Sequence, residues 1–207
     1  MRSYSGFSFS VGNDKMNAVP SFSVLPHATC DMSAPCAKRG CYAWKISQRY
    51  ENVRKAWTDN TRLLRDEGRY GDLIQDTVAF VRFTRARKFR FNVAGDLFSV
   101  DYGIAMCEIA AACPDVSFWT YTKRWDVLRA VEDATEIPAN MRFILSAWNE
   151  FQPPADLAGR FPVAYMDDGR HKDMLPKSRK TVCKGDCENC PVCASLQAGM
   201  SVIFRRH

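Results

Sequence analysis

No run of apolar residues in this sequence approaches the ~18 that a membrane-spanning helix needs. The most apolar helical window, Ile104 to Cys113, carries Glu108 in its middle. The opening stretch, MRSYSGFSFSVGNDKM, lacks a continuous apolar core followed by a small-residue cleavage site, so no secretory signal is read there. Histidine is scarce: His27, His171 and His207 do not have the spacing of a metal site, and His27 reads as a capping or surface residue. A phosphate-binding glycine loop, G-x-S-x-G and H-E-x-x-H are all missing. No repeat or low-complexity tract is visible. These absences argue against a membrane partner and against the common nucleotide-binding, serine-hydrolase and zincin signatures. They place the chain, as an expectation, in the cytoplasm.

What is present is an ordinary globular composition over 207 residues, 46% hydrophobic and 25% charged. One domain spanning residues 1–207 is expected, able to bury about 70% of the surface it would expose unfolded. It needs no disulfide staples, so nine cysteines in a reducing compartment point to metal or redox chemistry. The net charge of +6 is a mild excess, consistent with solubility and compatible with a nucleic-acid partner.

Hydrophobic patterning predicts short strands at Ser21–Leu25, Lys88–Gly95, Val116–Thr122, Met141–Trp148, Pro162–Asp168 and Met200–Arg206. Helical patterns fill the gaps, over Tyr42–Leu64, Tyr70–Thr84, Ile104–Cys113 and Trp125–Asp133. The alternation implies an α/β fold with about six mostly parallel strands: a doubly wound sheet or, preferred, a small or incomplete (β/α) TIM-like barrel. Functional groups would then gather beyond the C-terminal strand ends.

The cysteines form three groups. Cys183, Cys187, Cys190 and Cys193 make C-x3-C-x2-C-x2-C before the last strand, with Gly185 and Pro191 turning the chain. So close a run, with an adjacent proline, favours an iron–sulfur cluster, [4Fe-4S] foremost, over zinc or a redox dithiol. Part of it has the spacing of the radical S-adenosylmethionine signature, although at the far end of the chain, which makes S-adenosylmethionine a secondary cofactor expectation. Cys30, Cys36 and Cys41 follow the first predicted strand as C-x5-C-x4-C. Closure of the sheet would bring the two loops together at one mouth. Three cysteines would leave one iron of a cubane free for another ligand. Cys107 and Cys113 read as small core hydrophobes.

Asp96 follows the Lys88–Gly95 strand, where a carboxylate is placed to act. As a residue that only lines a mouth, it would tolerate alanine with little loss of stability. Lys123 ends the next strand and Asn149 follows the one after; these three are the catalytic candidates. Arg90 and Asn92 alternate along a strand and would share a polar interior face. Arg124, beside Lys123, could meet an anion or stand as a solvated cation, and Glu150, Asp167 and Asp168 sit in loops where turn formation explains them equally well. Lys45 and Arg54 read as surface cations.

The segments GNDKMNAVPSFSVLP, CYAWK, NVRKAW, GDLFS, DVSFWTYTKRW, the terminal cysteine run and VIFRRH together resemble the phage gene product 88 family, from Gly12 to His207. The most specific pieces are Cys41–Lys45, Gly95-Asp96 and C-x2-C-x2-C. The resemblance implies a viral protein of the host cytoplasm with a small barrel-like fold and an iron–sulfur cluster. The CYA element is also similar to a phage family with barrels related to radical S-adenosylmethionine enzymes, although an N-terminal C-x3-C-x2-C is lacking. The expected function is therefore a phage iron–sulfur protein with a site at the C-terminal mouth, acting on a small molecule or with a redox partner. The alternative is a nucleic-acid-binding or regulatory module with a structural metal, using Trp44, Trp57 and Trp125 as exposed aromatics.

Overall fold

The computed structural model describes residues 2–13, 16–169 and 171–205. His207 and the Arg206 end of the last predicted strand lie outside them. All six predicted strands are present, as β3 (Ser21–Phe22), β4 (Lys88–Phe91), β5 (Ser117–Thr122), β6 (Met141–Ala147), β7 (Val163–Asp167) and β9 (Ser201–Arg205). Three more were not expected: β1 (Arg2–Tyr4), β2 (Phe7–Ser10) and β8 (Lys180–Val182). Tyr4 pairs with Phe7 across Ser5 and Gly6, both at positive φ, which is the backbone of a two-residue hairpin turn. The Ser-Gly pair beside an alternating FSFS was its local signal.

Among the described residues, nine strands form one sheet in the order β1-β2-β3-β4-β5-β6-β7-β9-β8. β1, β2 and β3 run antiparallel, and every later pair is parallel. The sheet ends at β1 and β8 and does not close, which corrects the expectation of a TIM-like barrel. β9 enters between β7 and β8, so the last strand pairs there and not with β3. The first cysteine group accordingly follows the third strand of the sheet.

Helices α3 (Glu51–Arg65), α4 (Tyr70–Thr84), α5 (Val100–Ala112), α6 (Trp125–Ala134) and α7 (Ala155–Arg160) pack on one face. That face carries Phe22, Phe89, Phe91, Phe118 and Phe143, each at most 1% exposed. Burying each such side chain contributes about 1.5–3 kcal/mol. Trp119, Ile144, Ala164 and Val202 point the other way, because neighbouring strand residues alternate. They are covered by the segment after β8, including α8 (Val192–Ser195).

The predicted helix over Tyr42–Leu64 is two helices, α2 (Tyr42–Arg49) and α3, with α1 (Pro35–Lys38) before them. Tyr50 is extended, ending one and opening the other. No glycine or proline marks this elbow. Cys107 and Cys113 are buried in the helical core as expected. Burial pushes the Cys107 thiol up to about 12.

Candidate functional site

The C-terminal cysteine run is tied down from three sides. The Cys183 amide donates to the Ile203 carbonyl at 2.8 Å, holding the start of the run on β9. Lys88 Nζ donates to the carbonyls of Glu188 at 2.7 Å, Cys190 at 3.1 Å and Cys187 at 3.3 Å. Asp186 accepts from Asn17 at 3.1 Å and from the Asn189 side chain at 2.9 Å. With Gly185 at positive φ, the loop folds back on itself. Cys183, Cys187, Cys190 and Cys193 then line one cleft, with Trp119 and Ala194 among its walls.

Two sheet residues that the sequence reading did not single out for this role face the run. Tyr121 donates its hydroxyl to Cys193 Sγ at 2.8 Å, and the Arg90 guanidinium lies 4.8 Å from the Tyr121 ring centre. Their alternation with Trp119 on one face was the available signal. Burial pushes the Cys193 thiol up to about 11, and neighbouring Cys183 and Cys187 add to this against Tyr121 and Arg90. Without a bound cation that thiol keeps its proton; a metal would displace it. Among the described residues, no three His, Cys, Asp or Glu side chains already stand as ligands around one ion. The donor set and the shared cleft suit a thiolate-ligated group.

The second group lies beyond the C-terminal ends of β3 and β4. Gly95, at φ +80°, packs so closely that a Cβ would stand 2.4 Å from Val24 Cγ2 and 2.8 Å from Thr29 Oγ1. The Asp96 amide donates to Thr29 Oγ1 at 3.3 Å, bringing Cys30 beside Asp96. Cys41 caps α2, accepting from the Trp44 amide at 3.4 Å, and Tyr42 donates to the Val93 carbonyl at 2.6 Å. The Cys30 thiol is pushed up to about 11, first by burial and then by Asp96, with Cys36 and Cys41 contributing. Three thiols and a carboxylate thus share one electrostatic neighbourhood.

Asp96 is 5% exposed. Its Oδ1 accepts from the Leu97 amide at 2.7 Å and its Oδ2 from the Lys123 amide at 3.0 Å. It clamps the end of β4 to the end of β5. Alanine there would take the acceptor from one buried and one partly buried amide, which argues for a larger loss of stability than the sequence alone suggests. Burial raises the Asp96 pKa, opposed most by the Lys123 charge. Asp96 and Lys123 are therefore brought together. Asn149 is bonded into another group, where its side chain meets His171 Nδ1 at 2.9 Å and Asp168 meets the same nitrogen at 2.9 Å. Glu150 pairs with Arg39 at 2.6 Å, tying the loop after β6 to the Cys36–Cys41 segment.

Three expectations change. Cys30, Cys36 and Cys41 do not line the cleft of the C-terminal run. Lys88, which holds that run, opens β4, whereas Asp96 lies past its far end; an open sheet does not return the last loop to the first. Arg90 and Asn92 do not share a face, because Asn92 turns to φ +52° and bonds Thr120 and the Tyr102 hydroxyl. Trp44, Trp57 and Trp125 are not exposed but half-buried, Trp44 stacked on His27 and Trp125 against Phe151.

An open, mostly parallel α/β sheet with helices on one face and a cysteine-rich segment on the other defines the class of this protein. Within that class, the chain belongs to the Gene product 88 family, whose profile matches residues 6–197. It is similar to the Gene 88 protein of Mycobacterium phage L5, 37% identical over 100 residues. That match covers 45% of this chain and 41% of the phage L5 protein, less than half of its length. No solved structure matches the chain. Among the described residues, no helix is long and apolar enough to cross a membrane.

Proposed function

We propose that this protein is an iron–sulfur protein of phage, acting in the host cytoplasm, whose C-terminal run holds a [4Fe-4S] cluster. The observation that carries this reading is that all four thiols of Cys183, Cys187, Cys190 and Cys193 line one cleft. The run spans eleven residues, and Lys88 holds the carbonyls of Cys187, Glu188 and Cys190 within it. The Tyr121 hydroxyl and the Arg90 cation would offset the negative charge that thiolates bring. Such a group supplies one-electron chemistry or a Lewis-acidic iron.

The second group, beyond the C-terminal ends of β3 and β4, serves as the reactive site in this reading. Cys30, Cys36 and Cys41 offer three thiolates and leave one position for a substrate, and Asp96 with Lys123 orients what binds there. S-adenosylmethionine is a candidate for that position. Anaerobic purification with iron, sulfide and zinc analysis is the test. Four equivalents each of iron and acid-labile sulfide per chain are expected for the cluster of the C-terminal run, and about four more for a second cubane on Cys30, Cys36 and Cys41. Stoichiometric zinc without sulfide would overturn the reading.

A further inference from the structure

Helix α2 is turned inside out. Its buried residues are the small Ala43 and Ser47. Trp44 is half-buried against His27, but three other large residues face solvent: Tyr42 is 63% exposed, Ile46 36%, and Tyr50 at its end 44%. At the helical period, Tyr42, Lys45, Ile46 and Arg49 fall on one side. An exposed apolar stripe of this kind, edged by polar residues, marks an interaction surface.

The stripe is basic. Between residues 38 and 55 there are six cations, and the one acid is Glu51. Arg39 and Lys55 are spent in ion pairs with Glu150 and Asp59. Lys38, Lys45, Arg49 and Arg54 are exposed and make no ion pair among the described residues. The rings are held in place. Tyr42 is fixed by its hydroxyl on the Val93 carbonyl at 2.6 Å, and the Arg49 guanidinium lies 5.4 Å from the Tyr50 ring centre. Eight steps of helical rise set the Cα atoms of Tyr42 and Tyr50 about 12 Å apart along the axis, room for separate bases.

We propose that this outward face of α2 binds single-stranded nucleic acid, the rings stacking on bases and the free cations meeting phosphates. Fixed aromatic platforms interleaved with cations are what sequence-tolerant single-strand binding requires. In a duplex the base faces are already stacked and closed to the rings. A second copy of this chain is disfavoured as occupant, because two such faces carry the same charge. The inference uses no property of the cysteine groups and does not depend on a cluster.

The test is fluorescence anisotropy of the full-length, anaerobically purified protein with labelled oligothymidylate and oligouridylate, titrated over a range of salt. Binding to at least one strand is expected, weakening as salt rises. Tyr42→Ala and Tyr50→Ala should each weaken it by roughly 5- to 150-fold, the range for losing one stacked base. Tyr42→Phe, which keeps the ring, should retain most of the affinity. The double variant Lys45→Gln/Arg49→Gln should flatten the log–log salt slope by about 1.4, two phosphate contacts on a single strand. Circular dichroism should show all variants folded, since the altered side chains are exposed. The proposal is overturned by absent or salt-independent binding, or by unchanged affinity in the folded tyrosine variants. A concentration-dependent dimer that the alanine variants abolish would also overturn it, by giving the stripe to a second copy.

Discussion

Replacing Asp96 with alanine removes one buried acceptor from two backbone donors at once. The Leu97 and Lys123 amides lie 2.7 Å and 3.0 Å from its oxygens. A hydrogen bond to a charged group contributes about 1.5–3 kcal/mol, so the pair contributes roughly 3–6 kcal/mol. The cost of keeping a carboxylate buried, visible in its raised pKa, offsets part of this. A net loss of about 2–4 kcal/mol is expected, out of the 5–15 kcal/mol typical of a single domain. For a chain of this length that corresponds to a melting temperature about 4–16 °C lower. Asp96→Asn keeps one carbonyl acceptor but turns an amide toward the other donor, so it should lose about half as much. Urea unfolding at neutral pH under reductant, followed by tryptophan fluorescence, measures both variants, with iron content determined on the same samples. An alanine variant within about 0.5 kcal/mol of the parent, at unchanged m-value, would refute the clamp between β4 and β5.

Asp76 offers a pH test: it is 8% exposed, bonded by Ser5, and its Oδ2 has no partner among the described residues. Burial raises its pKa above the ordinary 3.8, so its contribution to stability is greatest below that value and is lost as pH rises through the native one. Asp76→Asn should therefore gain on the parent as pH rises from about 4 to neutrality; urea melts showing a pH-independent difference would count against this. Cys187→Ser or Cys190→Ser should strip iron and lower the melting temperature, since ligation and folding are linked, whereas Cys107→Ser should keep its iron. Equal iron loss in all three would contradict the assignment. Gly103 meets Val131 where α5 crosses α6, and a Cβ there would stand 2.3 Å from Val131 Cγ2. Gly103→Ala should cost about 1–3 kcal/mol by overpacking, and an unchanged thermal melt would mean the helices are not so close.

The local chemistry of the chain determined a good deal by itself. Runs such as KFRF and SFWTYT become strands because aromatic and β-branched residues suit a pleated, buried surface. The helix over Tyr70–Thr84 and the one opening at Trp125 begin where expected because their apolar periodicity is strong. The terminal cysteine run was legible for the same reason: its four thiols lie within eleven residues and need only local turns to face one cleft. Sheet closure was not legible, because whether β9 pairs with β3 or slots between β7 and β8 depends on partners far apart in sequence. The elbow at Tyr50 carries no breaker residue and follows from which faces of α2 and α3 find a core. Spacing left Asp96 open between a site carboxylate and a cap or turn residue, and only the fold brings the Lys123 amide, 27 positions away, onto its oxygen. Nor could spacing show that α2 turns Tyr42 and Ile46 outward, since a helical period says which residues share a side, and only packing against the rest of the chain decides which side is buried.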